Sequence, residues 1–223
     1  DKIIDLLISS IQNEPDFQLR IILCDLFNIL IIEKQMQIQM EKIYEFAKAM
    51  LDDGNFFTTG VYLWGLIFNS LDDEIKVESA DSLIDISQKA LAIDEPYSLI
   101  YGTKLLQVVI LETSTKIDYS PNIESLVELL IQVLKKAFFD DRNPIECNQI
   151  IKIINELYLV ELFEQYSSDF AQFAIEVMSQ EELPLELRVN AFELIEDDND
   201  RKCALLESCD FKEIEPYFVL FIN

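Results

Sequence analysis

Apolar residues recur at three- and four-residue spacing along almost the whole chain, and this period constrains the fold more than any other feature. It is the period of an α-helix with one buried face. Ile3, Ile4, Leu7, Ile8 and Ile11 mark a first helix. Asn13-Glu14-Pro15-Asp16 interrupts, with Pro15 placed for a first helical turn, and Phe17 to Ile32 follows. Met36, Met40, Ile43, Tyr44, Ala47 and Leu51 mark a third, which Asp52-Asp53-Gly54-Asn55 closes through a glycine cap. Phe56 to Leu71 is apolar or small nearly all round, which predicts a helix covered on several sides.

Asp72-Asp73-Glu74 opens the next helix, with carboxylates at the positive end of its dipole. Asp94-Glu95-Pro96 starts another, running to about Glu112, and Ser120-Pro121 caps one with Leu126, Leu130, Val133, Leu134 and Ala137 on its inner face. Asp140 to Pro144 reads as a loop and cap before Ile145 to Leu159. Glu161 to Ser179 follows, with a break at Ser167-Ser168. Leu183-Pro184 then opens a helix to Glu196, and two short helices are expected beyond Arg201 and Phe211. The chain has 223 residues but only 4 glycines, too few for the turns that a β-protein of this length needs.

About twelve helices result, and a pair with its linkers takes about 37 residues, inside the range of two-helix repeats. Such a pair cannot bury its own apolar face, so neighbouring pairs must stack on it. No Pro/Gly/Ser-rich linker divides the chain. The expected architecture is therefore all-α: one continuous right-handed α-solenoid of HEAT-like hairpins over residues 1–223, about six pairs. A repeat-free helical bundle is the alternative. Leu19-Arg20-Ile21 followed by Cys24-Asp25-Leu26 is similar to Leu187-Arg188-Val189 followed by Phe192-Glu193-Leu194, each after a proline-started turn. The start, Asp1-Lys2-Ile3, lacks a Met and a basic stretch, so no signal peptide is expected and the chain reads as a fragment.

The formal net charge is −25. Such an excess repels phosphate backbones and anionic membrane surfaces, and favours a basic protein or peptide. The same charge also disperses an apolar helical chain in water. Asp81 and Asp85, four apart on one helix face, and Asp197, Asp198 and Asp200 are the candidate protein-binding acids. Asp197 to Asp200 superficially resembles a calcium loop but lacks the glycine and glutamate of an EF-hand, so a solvated loop is the competing reading. The chain has no histidine, which removes triads, Cys-His pairs and imidazole metal ligands. Its glycines cannot form a phosphate-binding loop. Glu112 with Asp118 is a conceivable acid/base pair, but 42 acids make chance pairs common. No catalytic residue, cofactor or metal is expected, and the chain reads as a binding protein rather than an enzyme.

Cys24, Cys147, Cys203 and Cys209 show no CxxC spacing. Cys24 and Cys147 read as buried helix positions, and free buried thiols suit the cytoplasm or nucleus. Trp64 reads as core, with a binding hot spot as the alternative. Phe56, Phe57, Phe138 and Phe139 at helix ends suit packing or shallow aromatic-accepting pockets between helices.

From about Ser125 to Asp197 a series of phrases recurs: Leu126-Val127-Glu128-Leu129-Leu130, Ile150 to Leu157, Leu162-Phe163-Glu164-Gln165-Tyr166, and Leu187 to Ile195. This pattern resembles the HEAT repeats of importin-β-type karyopherins, nearest the importin-5 and importin-4 branch. The resemblance implies a segment of a nuclear transport receptor, working in cytoplasm and nucleus. Its acidic concave face would hold basic cargo or Ran-GTP, and convex inter-helix pockets would hold Phe-Gly nucleoporins. A HEAT-repeat scaffold subunit of a coat, phosphatase or chromosome complex is the alternative.

Overall fold

The computed structural model describes residues 2–34, 40–93, 95, 97–157 and 160–195. These form eleven α-helices and no strand, so the protein is all-α among its described residues. The helices expected beyond residue 200, and Met36, Asp94 and Pro96, lie outside them. The chain divides between Ile117 and Asp118 into two compact units.

The first unit holds α1 (Lys2–Asn13), α2 (Phe17–Lys34), α3 (Met40–Leu51), α4 (Phe57–Ile67), α5 (Asp73–Ala92) and α6 (Ser98–Thr113). They pair as three hairpins, α1 with α2, α3 with α4 and α5 with α6. The second helices pack in a row, α2 on α4 and α4 on α6. Of the predicted first face, Ile4, Leu7 and Ile11 are buried and Ile8 is half-buried, while Ile3 is exposed. α4 packs on α2, α3, α5 and α6, which accounts for a helix with almost no polar side. Within two hairpins the helices approach closely at a glycine. A Cβ on Gly60 would stand 3.0 Å from the Met50 Cβ, and one on Gly102 would stand 3.0 Å from a Leu91 methyl.

Polar ties between successive hairpins of the first unit keep a nearly constant separation. The Arg20 guanidinium donates to the Asn55 carbonyl (2.9 Å), 35 residues on. Lys42 on α3 pairs with Asp5 on α1, and the Tyr62 hydroxyl on α4 donates to Asp25 on α2, each across 37 residues. Thr58 donates to Glu95 (2.7 Å), again across 37. These separations match the pair length read from the sequence.

The second unit holds α7 (Ile123–Lys135), α8 (Pro144–Leu157), the single turn α9 (Glu161–Glu164), α10 (Ser167–Met178) and α11 (Leu185–Ala191). α7 pairs with α8, α10 with α11, and α8 packs on α11. The Asn155 amide donates to the Glu193 carbonyl (3.0 Å), 38 residues on. Phe138 is fully buried and meets Phe173 of α10 edge to face, 5.7 Å between ring centres.

Several helix ends differ from expectation. No glycine has positive φ, so Gly54 is not a left-handed cap. Asp53 closes that turn: its carboxylate accepts the Asn55 N–H (2.9 Å) and its carbonyl accepts the Phe56 N–H (2.9 Å). Pro15 precedes the α2 cap, where the Asp16 carboxylate accepts the Leu19 N–H (3.0 Å). Asp140 and Asp141 are helical, in a π turn over Lys136–Asp141 that ends at Arg142 in the left-handed region (φ 52°). Asn143 then caps α8, accepting the Ile145 N–H at 3.1 Å. The break expected at Ser167-Ser168 falls two residues earlier, at Gln165-Tyr166, because Ser167 already opens α10. Arg20 and Arg188 each lie near the start of a hairpin's second helix, but Arg188 reaches back to the Met178 carbonyl (2.9 Å) while Arg20 reaches forward.

Candidate functional site

A groove lies beside first helices in each unit, and the two have related chemistry. In the first unit α3 and the turn into α5 enclose about 560 Å³. Met40, Tyr44, Leu71 and Ile75 supply an apolar floor, and Glu41, Glu45 and Asp72 stand around it. Tyr44 is held from behind by Trp64, edge to face at 5.3 Å. Trp64 itself is 2% exposed, so it is core and serves the groove only as backing.

In the second unit α7 and α10 enclose about 400 Å³. Val127, Ile131 and Phe173 form the floor, and Glu128, Asp169 and Glu176 the rim, with Lys135 beside them. All three carboxylates are exposed. Both volumes lie within the range of side-chain and small-ligand sites. An apolar floor attracts an aromatic or aliphatic side chain by its area. Three rim carboxylates favour a cation beside it, through an attraction that salt screens.

The acids named from the sequence are placed differently. Asp81 and Asp85 are exposed on α5, continue a row begun by Glu74 and Glu78, and line neither of these two grooves. Asp197, Asp198 and Asp200 lie outside the described residues. Glu112 is taken by Lys76 (2.7 Å) and the Asp118 carboxylate accepts the Ser120 N–H (3.0 Å), so each has a structural partner of its own. Of the four phenylalanines, Phe138 and Phe139 pack on Phe173 from beneath, and Phe56 lies under the Arg20 guanidinium at 4.7 Å. Sequence reasoning missed the six groove carboxylates. Glu41, Tyr44 and Glu45 do share a helix face, but many of the 42 acids have an apolar neighbour at that spacing.

Cys24 and Cys147 are buried free thiols, as expected. Burial pushes each pKa up to about 12, reinforced by Asp25 at Cys24 and by Glu146 and Asp141 at Cys147. Neither thiol should react with a maleimide at pH 7.5 in the folded chain, while both should react in denaturant; mass mapping of the labelled peptides checks this. The folded pKa is raised, so the thiols' contribution to stability is fully present below about 9 and lost as pH climbs toward 12. Among the described residues no group of three or more Cys, Asp or Glu is arranged to hold a metal ion, and no helix is long and apolar enough to cross a membrane.

Compared with protein-family models, curated proteins and solved structures, the chain matches none.

Proposed function

We propose that the chain is a protein-binding helical-repeat segment, its hairpins stacked as a HEAT-like α-solenoid, that takes apolar side chains of partner proteins into acidic-rimmed grooves. The observation that carries this is the pair of grooves: one in each unit, beside first helices, each with an apolar floor and three carboxylates. The recurrent 35- to 38-residue ties support the repeat reading. The partners that fit best are those of an importin-β-type nuclear transport receptor. Phe-Gly nucleoporin repeats would insert a phenyl ring into a groove, and basic cargo or Ran-GTP would meet the acidic surface. One ring in an open groove binds weakly, so affinity would come from several grooves engaged by one flexible chain.

NMR titration of the labelled chain with a Phe-Gly-repeat peptide and with a lysine-rich peptide tests the proposal. Shifts should concentrate on α3, the start of α5, α7 and α10, and weaken as salt rises. Reversing the exposed Glu128→Lys and Glu176→Lys together should abolish lysine-rich binding at the second groove and leave the first intact. Shifts absent from both grooves, or spread evenly over the α5 acids, would overturn it.

A further inference from the structure

Among the described residues nine large hydrophobic side chains are exposed, and six of them lie on the first hairpin. Ile3 and Leu6 are on α1, at 51% and 66% exposure; Leu19, Ile22, Leu26 and Ile29 are on α2. The α2 residues follow one another by three, four and three positions, which places them in one stripe along the helix. Strict spacing of this kind is the seam by which helices pair. No acidic or basic side chain belongs to the stripe, on a chain of net charge −25. Exposed apolar stripes on a water-facing surface mark interaction sites.

The internal repetition says what covers this face. Phe17 and Phe57 open α2 and α4, 40 positions apart. That shift carries buried Cys24 and Phe27 onto buried Trp64 and Ile67. It also carries Leu19 onto Thr59, Ile22 onto Tyr62 and Leu26 onto Leu66. Tyr62 is the residue of α4 whose hydroxyl reaches Asp25 on the preceding hairpin. The next step agrees. Gly60 and Gly102 are matched by their close approach to Met50 and Leu51 in one hairpin and to Ala90 and Leu91 in the next. Their 42-residue shift carries Thr59 onto Tyr101, whose ring centre lies 4.6 Å from that of Tyr62 on the hairpin before. On the first helices, buried Ile4, Leu7 and Ile11 match Ile43, Phe46 and Met50, 39 positions on. This carries Ile3 onto Lys42, which pairs with Asp5 of the preceding α1. Ile3, Leu19 and Ile22 of the first hairpin therefore occupy positions by which the second and third hairpins meet their predecessors.

We infer that this face of α1 and α2 is a docking surface for one further two-helix hairpin, stacked ahead of α1 in the register that relates the three hairpins of the unit. The occupant meets it with an uncharged, Leu/Ile/Val-rich side, because Ile3 and Ile22 stand where Lys42 and Tyr62 offer polar groups. A second copy presenting the same face is disfavoured on two grounds. Both stackings seen here join unlike faces of neighbouring hairpins, and pairing two copies brings two charges of −25 together. The inference rests on hairpin stacking within the first unit and not on the partners proposed above.

The test extends the full chain. A duplicate of residues 40–72, carrying Glu41→Leu and Glu45→Leu so that the side it turns to the next first helix is uncharged, is placed directly ahead of residue 1, since Leu71-Asp72 is the link by which that hairpin joins the next first helix. Amide exchange along α2 should slow at least tenfold, and binding of an apolar fluorescent dye should fall to background. Ile22→Glu with Leu26→Glu in the extended chain should cancel both effects. In the unextended chain the same pair should remove dye binding and leave the melting temperature unchanged. An added hairpin that leaves α2 exchange unaltered would overturn the inference. So would a fall in melting temperature of the unextended pair, or an unextended dimer, seen by sedimentation, that the pair dissociates.

Discussion

Phe27→Ala should destabilise the protein by about 3–5 kcal/mol, the range for removing a fully buried phenylalanine. The ring is 0% exposed and packs at 6.3 Å, tilted, on Phe46. Phe27 belongs to the first hairpin and Phe46 to the second, so the cavity opens where two hairpins meet. Whole-domain stability is only about 5–15 kcal/mol, so the substitution removes a large share of it. The melting temperature should fall by roughly 10 °C or more. Phe27→Leu keeps much of the volume and should cost markedly less. Thermal and urea unfolding measure both. A Phe27→Ala chain melting within about 2 °C of the parent would show that the two hairpins are not packed through this ring.

Glu112→Ala should cost about 3 kcal/mol by a different route. Lys76 on α5 has an 8% exposed side chain, and its ammonium lies 2.7 Å from the Glu112 carboxylate on α6. Removing the carboxylate leaves a cation inside the protein without its main partner. The cost stays near the lower end of the buried-pair range because Glu112 is itself 32% exposed and Asp73 also feels Lys76. Replacing both, Lys76→Met with Glu112→Leu, should be close to neutral, since the desolvation of two charges is recovered. Lys116–Asp73 serves as the control: its carboxylate is 72% exposed, and Asp73→Asn should be nearly silent. Chemical denaturation of the three variants measures the series. Equal losses for Glu112→Ala and for the double variant would mean that the ion pair itself, and not its breaking, dominates.

Helix positions were legible in the sequence because burial imposes a period that charge and polarity follow. Ile4, Leu7 and Ile11, or Leu126, Leu130, Val133 and Leu134, are buried as their spacing predicts. Helix ends were less legible. The choice between Gly54 and Asp53 at one turn, or between a loop and a π turn at Asp140, is settled by a few hydrogen bonds that no period encodes. The grooves were least legible. Glu128, Asp169 and Glu176 converge only because α7 lies beside α10, a pairing of helices some forty residues apart. Asp81 and Asp85 satisfied a local rule, sharing a helix face, yet they line neither of the two grooves. The exposed stripe on α2 was visible as apolar letters within Phe17 to Ile32, but a period alone does not say which of them a neighbouring hairpin covers.

The nearly constant reach of the polar ties has a consequence for synthesis. Asp5 waits for Lys42, Asp25 for Tyr62 and Thr58 for Glu95, each 37 residues later. A ribosome adds about 5–20 residues per second, so each group meets its partner within roughly 2–7 seconds of its own translation. Such a chain can settle stepwise behind the exit tunnel, and its apolar helices spend little time bare before the element that covers them arrives.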